Sequence, residues 1–163
     1  VQHGPILRVV FGPRDPSYIS PILSAIQSDL CESGIDGVLS THIQRDALEK
    51  FSYVSPIGAA GVYLHAVAGD FQKEGPAREL FKSMIREISA LAAAMGYPFE
   101  KDYVKINLEI LSNLSADATT SMQRDIMEGK PSELMEPLRL AKKYSVSMPC
   151  YEEVANVLCP LEF

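Results

Sequence analysis

Apolar residues spaced three and four apart dominate the sequence after residue 41. The clearest apolar stripe lies within residues 76–95, stops before Gly96, and consists of Leu80, Phe81, Met84, Ile85, Ile88, Leu91 and Ala92. This spacing places the stripe on one face of a helix. Related patterns predict helices over 41–68, 101–114, 121–128, 132–144 and 150–158. Such helices bury their apolar faces against one another, so the predicted fold class is mainly α and multi-helical.

The first 41 residues follow a different pattern. Strand-like runs at 6–11 and 37–40 enclose a helical stretch at 18–33. This order of strand, helix and strand is one parallel crossover unit. Because two strands do not make a stable sheet alone, we expect this α/β remnant to be the edge of a larger sheet whose other strands lie elsewhere. The predicted domains are therefore 1–41 and 42–163.

Composition excludes several classes of protein. A chain of 163 residues that is 47% hydrophobic is long enough for one well-buried core. Its net charge of -6 argues against a nucleic-acid surface, and no apolar run is long enough to predict a membrane span. Its cysteines (Cys31, Cys150 and Cys159) show no Cys-x-x-Cys spacing. We therefore expect no metal site and no disulfide framework, which fits a reducing cytoplasm.

The predicted helix at 41–68 contains residues that disfavour a regular helix. Pro56 is expected to kink it. Gly58 and Gly61 each cost about 1 kcal/mol relative to alanine. We therefore expect close packing or close approach of a ligand at these glycines.

The stretch 119–133 supports two interpretations. Polar residues around Ser121 are candidate N-caps of a short helix that Gly129 ends, and Ser132 is a candidate cap of the next helix with Glu133 in its first turn. In this interpretation the stretch only ends one helix and begins the next. In the other interpretation, Ser121 and Glu133 face a ligand.

Five short motifs share their order with a known family. They are Leu48-Glu-Lys-Phe51, Gly69-Asp-Phe, Thr120-Ser-Met-x-x-Asp125, Gly129-Lys-Pro-Ser-Glu133 and Val146-Ser-Met-Pro149. In this order the chain resembles the C-terminal part of the ketopantoate reductases (2-dehydropantoate 2-reductases) along essentially its whole length. The resemblance implies a helical domain of the 6-phosphogluconate dehydrogenase C-terminal-like type, preceded by the end of a Rossmann domain.

The resemblance also implies a reaction, the transfer of hydride from NADPH to the keto carbon of a small 2-keto acid. It implies that Lys50 donates a proton to the ketone oxygen, that Ser121 hydrogen-bonds the substrate, and that Glu133 holds the substrate's hydroxyl end. An ammonium beside a developing alkoxide stabilises charge that forms only in the transition state. From the residues alone, a solvated Lys50 paired with Glu49 or Asp46 is the simpler interpretation. With the resemblance, we expect Lys50 to be catalytic and partly buried.

The sequence departs from the family pattern in two ways. The family places asparagines at the positions of Val54, Gly58 and Ala68, where this chain has no amide. Ser55 or Ser52 is a candidate replacement hydroxyl for substrate binding, and the change predicts a different preference among 2-keto acids. The chain also has no Gly-x-Gly-x-x-Gly turn between a strand and a helix. We therefore expect NADPH to be held by a separate N-terminal Rossmann domain, without which the chain is inactive.

Two other functions stay open. One is a noncatalytic helical module for dimerisation or ligand sensing, which the lost asparagines would permit. The other is a related reductase that acts on another 2-keto acid. The expected partners are a small 2-keto acid, the separate Rossmann domain and a second copy in a homodimer, with neither nucleic acid nor membrane.

Overall fold

The computed structural model describes residues 7–18 and 20–158. The elements in chain order are β1 (Arg8–Phe11), α1 (Pro21–Glu32), β2 (Asp36–Leu39), α2 (Ile43–Tyr63), α3 (Ala68–Gln72), α4 (Pro76–Ala94), α5 (Tyr103–Ser112), α6 (Ser121–Met127), α7 (Glu136–Tyr144) and α8 (Pro149–Leu158). The mainly α class is confirmed. None of the helices in these ranges is long and apolar enough to cross a membrane.

The chain divides into two compact units, Val1–Ala47 and Leu48–Phe163. In the first unit β1 and β2 pair in parallel, with Arg8 opposite Asp36, and α1 is the crossover between them. The predicted strand–helix–strand order is confirmed, although Ile6, the predicted start of the first strand, lies outside the described residues. The boundary at residue 41 stays a prediction.

Several apolar side chains of the first unit are exposed. They include Val9 and Val10 on β1 and Ile22 and Ile26 on α1, with Ile22 67% exposed. Parallel strands are normally buried on both faces. A two-stranded parallel sheet with exposed apolar side chains therefore has the surface expected of the edge of a larger sheet.

In the second unit, α4 lies at the centre and contacts α3, α5, α7 and α8. Most of the predicted stripe is fully buried: Phe81, Met84, Ile85, Ile88, Leu91 and Ala92 are each 0% exposed, and Leu80 packs against the core from a partly buried position. The aromatic rings of Tyr53 on α2 and Phe71 on α3 both pack against Phe81. The apolar face read from the sequence is thus the face that organises the core.

Helix α2 continues through Pro56, and α5 compensates for the lost hydrogen bond. A proline inside a helix has no N–H to donate to the carbonyl four residues earlier, which here belongs to Ser52. Nδ2 of Asn107 lies 3.0 Å from that carbonyl oxygen and 3.0 Å from Oγ of Ser52. Ser52 and Asn107 are 0% and 1% exposed, so water does not satisfy the carbonyl. The predicted kink at Pro56 stays a prediction.

Two predicted helix boundaries were wrong. The helix expected over 41–68 ends at Tyr63, because the chain turns at His65, whose φ is 50°, and α3 begins separately at Ala68. The helix expected from 132 begins at Glu136. Pro137 explains this, since proline fits the first turn of a helix and clashes in its interior. Glu133 therefore precedes α7, and Ser132 is not its cap.

The Asn107–Ser52 contact gives a stability prediction. We expect Asn107→Ala to lower the free energy of unfolding by about 1–3 kcal/mol, because it leaves a buried carbonyl without a donor. Asn113→Ala is the matched control, since Asn113 is exposed at the end of the same helix. Urea unfolding followed by circular dichroism measures both. Equal, small effects for the two variants would contradict this account of Pro56.

Candidate functional site

The start of α6 is fixed by a capping box. Oγ1 of Thr120 accepts a hydrogen bond from the Gln123 N–H at 3.1 Å, and Oε1 of Gln123 accepts one from the Thr120 N–H at 2.9 Å. Such reciprocal bonds satisfy N–H groups that have no acceptor within the helix at its start. The prediction of a helix N-terminus at Ser121 is confirmed, and Ser121 itself is exposed in the first turn.

The two glycines of α2 allow α6 to approach closely. A Cβ at Gly58 would lie 3.0 Å from Sδ of Met122 and 3.2 Å from Oγ1 of Thr120. A Cβ at Gly61 would overlap the amide of Gln123, which also donates to the carbonyl of Ala66 at 2.8 Å. The expectation of close packing at these glycines is confirmed.

A cavity of about 130 Å³ lies beside this contact. Its lining combines apolar and polar side chains from α2, α3, α6 and the segment before α6: Tyr53, Ile57, Ala68, Phe71, Leu114, Ala118, Thr119, Thr120 and Gln123. Tyr53 and Ile57 follow Lys50 by three and seven residues, which places all three on one side of α2. The cavity therefore adjoins both the Lys50 side of α2 and the residues that lead into Ser121.

The predicted site residues are distributed unevenly around this cavity. Lys50 is exposed on α2, so its expected partial burial was wrong. Ser121 is exposed at the start of α6, and Glu133 is exposed in the segment between α6 and α7. Within the described ranges, the side chains that line the cavity include none of these three. The packing of α6 against α2 thus brings the elements that carry Lys50 and Ser121 together. The contacts described for this packing do not include the segment that carries Glu133.

Ser55 has a buried partner. Its Oγ lies 2.8 Å from the hydroxyl oxygen of Tyr151, and the two residues are 0% and 1% exposed. Tyr151 is held in turn at the start of α8, where the Glu87 carboxylate accepts from the N–H groups of Cys150 and Tyr151. Burial raises the pKa of Tyr151, so the pair stays neutral. This geometry gives Ser55 a structural role, and its role in substrate binding stays a prediction.

The hydroxyl of Tyr53 is a polar group of the cavity that the sequence patterns did not single out. The Tyr53 oxygen is buried and has no hydrogen-bond partner in the part of the chain that the structure describes. Burial raises the pKa of Tyr53, so the group is a neutral donor at physiological pH. The one available signal was the position of Tyr53, three residues after Lys50.

No cluster of possible metal ligands occurs among the described residues.

The close contact between α2 and α6 gives a second prediction. We expect Gly61→Ala to lower the free energy of unfolding by about 1–3 kcal/mol, since the Gln123 amide is committed to other bonds and cannot move freely. Gly58→Ala is the matched control on the same helix, because a Cβ there would lie 3.0 Å or more from Met122 and Thr120 and would overlap neither. Thermal unfolding measures both variants. A Gly61→Ala protein no less stable than Gly58→Ala would contradict the assigned contact.

The Ser55–Tyr151 pair gives a third prediction. We expect Ser55→Ala and Tyr151→Phe each to destabilise the protein by about 1–3 kcal/mol, because each leaves a buried hydroxyl without its partner. The double variant should lose less than the sum of the two, as expected for side chains in direct contact. Strict additivity in urea unfolding would show that the two hydroxyls do not interact.

A family model for the C-terminal domain of the ketopantoate reductases, described as "Ketopantoate reductase PanE/ApbA C terminal", matches residues 42–162. Among curated proteins, none matches this chain. The fold is similar to that of two solved 2-dehydropantoate 2-reductases. That of Methylococcus capsulatus has a TM-score of 0.84 at 24% identity, over 98% of this chain and 52% of that one. That of Geobacter metallireducens GS-15 has a TM-score of 0.81 at 24% identity, over 93% of this chain and 52% of that one.

A third similar structure is a D-mandelate dehydrogenase solved with NADH and anilino(oxo)acetate. It has a TM-score of 0.77 at 16% identity, over 93% of this chain and 64% of that one. The chain thus spans about half the length of the two reductases above, 52% of each. Because the family model covers residues 42–162, the chain belongs to the ketopantoate reductase family through its C-terminal domain.

Proposed function

We propose that this chain is the substrate-binding half of an NADPH-dependent 2-keto acid reductase. The observation that carries the proposal is the packing of α6 onto α2 at Gly58, which brings the Lys50 side of α2 and the start of α6 to one cavity. Lys50 precedes the cavity residue Tyr53 by three positions and Ser121 directly follows the cavity residue Thr120, so a carbonyl compound bound there would lie near the elements that carry both. Membership of the ketopantoate reductase family supports the reaction class.

The cofactor belongs outside this chain in the proposal. The sequence has no glycine-rich turn between a strand and a helix, so its own residues do not form a pyrophosphate site. The exposed apolar side chains of β1 and α1 support docking of further strands. A Rossmann domain completed in this way would hold NADPH, which supplies the hydride.

Lys50 acts in this proposal as the proton donor. Its ammonium would stabilise negative charge on the ketone oxygen and then transfer a proton to it, which leaves a hydroxyl group on the product. Ser121 would hydrogen-bond the substrate, and Glu133 would bind its polar end. Because Glu133 is exposed and precedes α7, its segment has to approach the substrate for this role.

The substrate need not be ketopantoate itself. A side chain at position 58 would press against Met122 and Thr120, so glycine there favours the close packing of α6. At position 68 the cavity is lined by the methyl group of Ala68. Ketopantoate and other 2-keto acids are both candidate substrates. The lack of asparagine at positions 54, 58 and 68 favours a second function, a noncatalytic helical module that senses a ligand or forms a homodimer.

The proposal is tested with the longer polypeptide that contains this chain, by following NADPH oxidation with a panel of 2-keto acids. We expect Lys50→Ala to lower kcat/KM by about 10²- to 10⁴-fold, the usual contribution of a general acid. Glu133→Ala should mainly raise KM. Lys105→Ala and Glu109→Ala, at exposed positions on α5, are the matched controls and should leave the rate unchanged.

Two outcomes would count against the proposal. Wild-type rates in Lys50→Ala would exclude Lys50 as the proton donor. If the wild-type polypeptide reduces no 2-keto acid and oxidises no NADPH, the noncatalytic function is favoured.

A further inference from the structure

The hydroxyl of Tyr53 differs from the other polar groups in the cavity. Thr119 contacts Nη1 of Arg124 at 3.4 Å through Oγ1. Oγ1 of Thr120 and the amide of Gln123 bond to each other, and Gln123 also donates to Ala66. Each of these side chains therefore has a partner. Within the described part of the chain, the Tyr53 oxygen is buried and has none.

A buried hydroxyl without a partner is costly, since its removal from water is not compensated. The ring of Tyr53 is fixed by an edge-on contact with Phe81, with centroids 6.0 Å apart and planes at 85°. The hydroxyl therefore cannot easily turn towards another partner. A ligand that enters the cavity and offers an acceptor would remove this cost.

The remaining lining defines the shape of such a ligand. Ile57, Ala68, Phe71, Leu114 and Ala118 present apolar surface. A dry apolar cavity of about 150 Å³ accepts a molecule the size of benzene, and this cavity measures about 130 Å³. It has room for a compact branched aliphatic group, and among the described residues of its lining the hydroxyl of Tyr53 is the buried polar side-chain atom that has no partner.

We propose that Tyr53 is a specificity-determining residue whose hydroxyl donates a hydrogen bond to an oxygen on the compact, otherwise apolar side chain of a 2-keto acid. This inference rests on the proposed function, because it places the keto group on the Lys50 side of the cavity. It adds a recognition group for the part of the substrate that does not react. Substrates with the same carbon skeleton and no such oxygen are bound less well, because the Tyr53 hydroxyl then stays unpaired.

The test uses two acids that differ by one hydroxyl, 4-hydroxy-3,3-dimethyl-2-oxobutanoate and 3,3-dimethyl-2-oxobutanoate. Their dissociation constants are measured by calorimetry on the longer polypeptide without NADPH, and their kcat/KM values in its presence. We expect the wild type to prefer the hydroxylated acid by about tenfold or more, as one buried hydrogen bond warrants. Tyr53→Phe should reduce that preference by about fivefold or more, with any remainder due to the Glu133 contact of the proposed function, and leave thermal stability unchanged or raised.

Tyr63→Phe is the matched control. Tyr63 is also on α2, but its hydroxyl donates to Glu153 on the surface, 3.0 Å away. This variant should keep the wild-type preference. A Tyr53→Phe polypeptide that still prefers the hydroxylated acid as the wild type does would overturn the inference, and would indicate that the Tyr53 hydroxyl contacts water only.

The dissociation constants and the kcat/KM values together distinguish failure of this inference from failure of the proposed function. If Tyr53 controls the binding preference while no acid is reduced, the inference survives and the reductase function fails. If both acids are reduced with a preference that Tyr53→Phe does not change, the reductase function survives and the inference fails. Absence of binding by either acid overturns the inference.

Discussion

The buried apolar stripe of α4 is the feature on which the helical unit depends. Its central side chains are fully buried, and α3, α5, α7 and α8 all contact this helix. Complete burial of a large apolar side chain contributes about 1.5–3 kcal/mol, so a stripe of this length is a major source of stability.

Helix α2 has a different character, because it buries polar and small residues. Pro56 leaves the Ser52 carbonyl without its helical donor, and Asn107 supplies one from α5. Ser55 pairs with Tyr151, and Gly61 makes room for Gln123. Each irregularity of α2 is thus matched by one residue of another helix. Buried polar groups are tolerated under that condition, since an unpaired one costs about 1–3 kcal/mol.

Among the described residues, by contrast, the hydroxyl of Tyr53 has no partner, and it lies at the cavity next to the Lys50 side of α2. An unsatisfied polar group in an otherwise matched interior requires an explanation, such as a bound water, an ion or a functional role. The reactive residues of the proposal, Lys50 and Ser121, are exposed, so a substrate can reach them. Reaction chemistry and substrate preference would then depend on different residues of one small region.

Local patterns in the sequence were sufficient for much of the fold. The spacing of apolar residues predicted α4 and its buried face, and the stretch before Ser121 predicted the start of α6. These features depend on residues three or four apart, which interact within one helix. The start of α7 was missed although Pro137 carried a local signal. The motifs quoted for the family resemblance are local as well.

Only the tertiary structure decided which polar residues have partners. Ser55 and Tyr151 are 96 residues apart in the chain, and Ser52 and Asn107 are 55 apart. Periodicity carries no information on such pairs, because they depend on how whole helices pack. In the part of the chain that the structure describes, the same packing leaves the Tyr53 hydroxyl without a partner and Lys50 exposed. The sequence by itself therefore determined the helices and their apolar faces, whereas the cavity and the buried Tyr53 hydroxyl beside it arise from long-range packing.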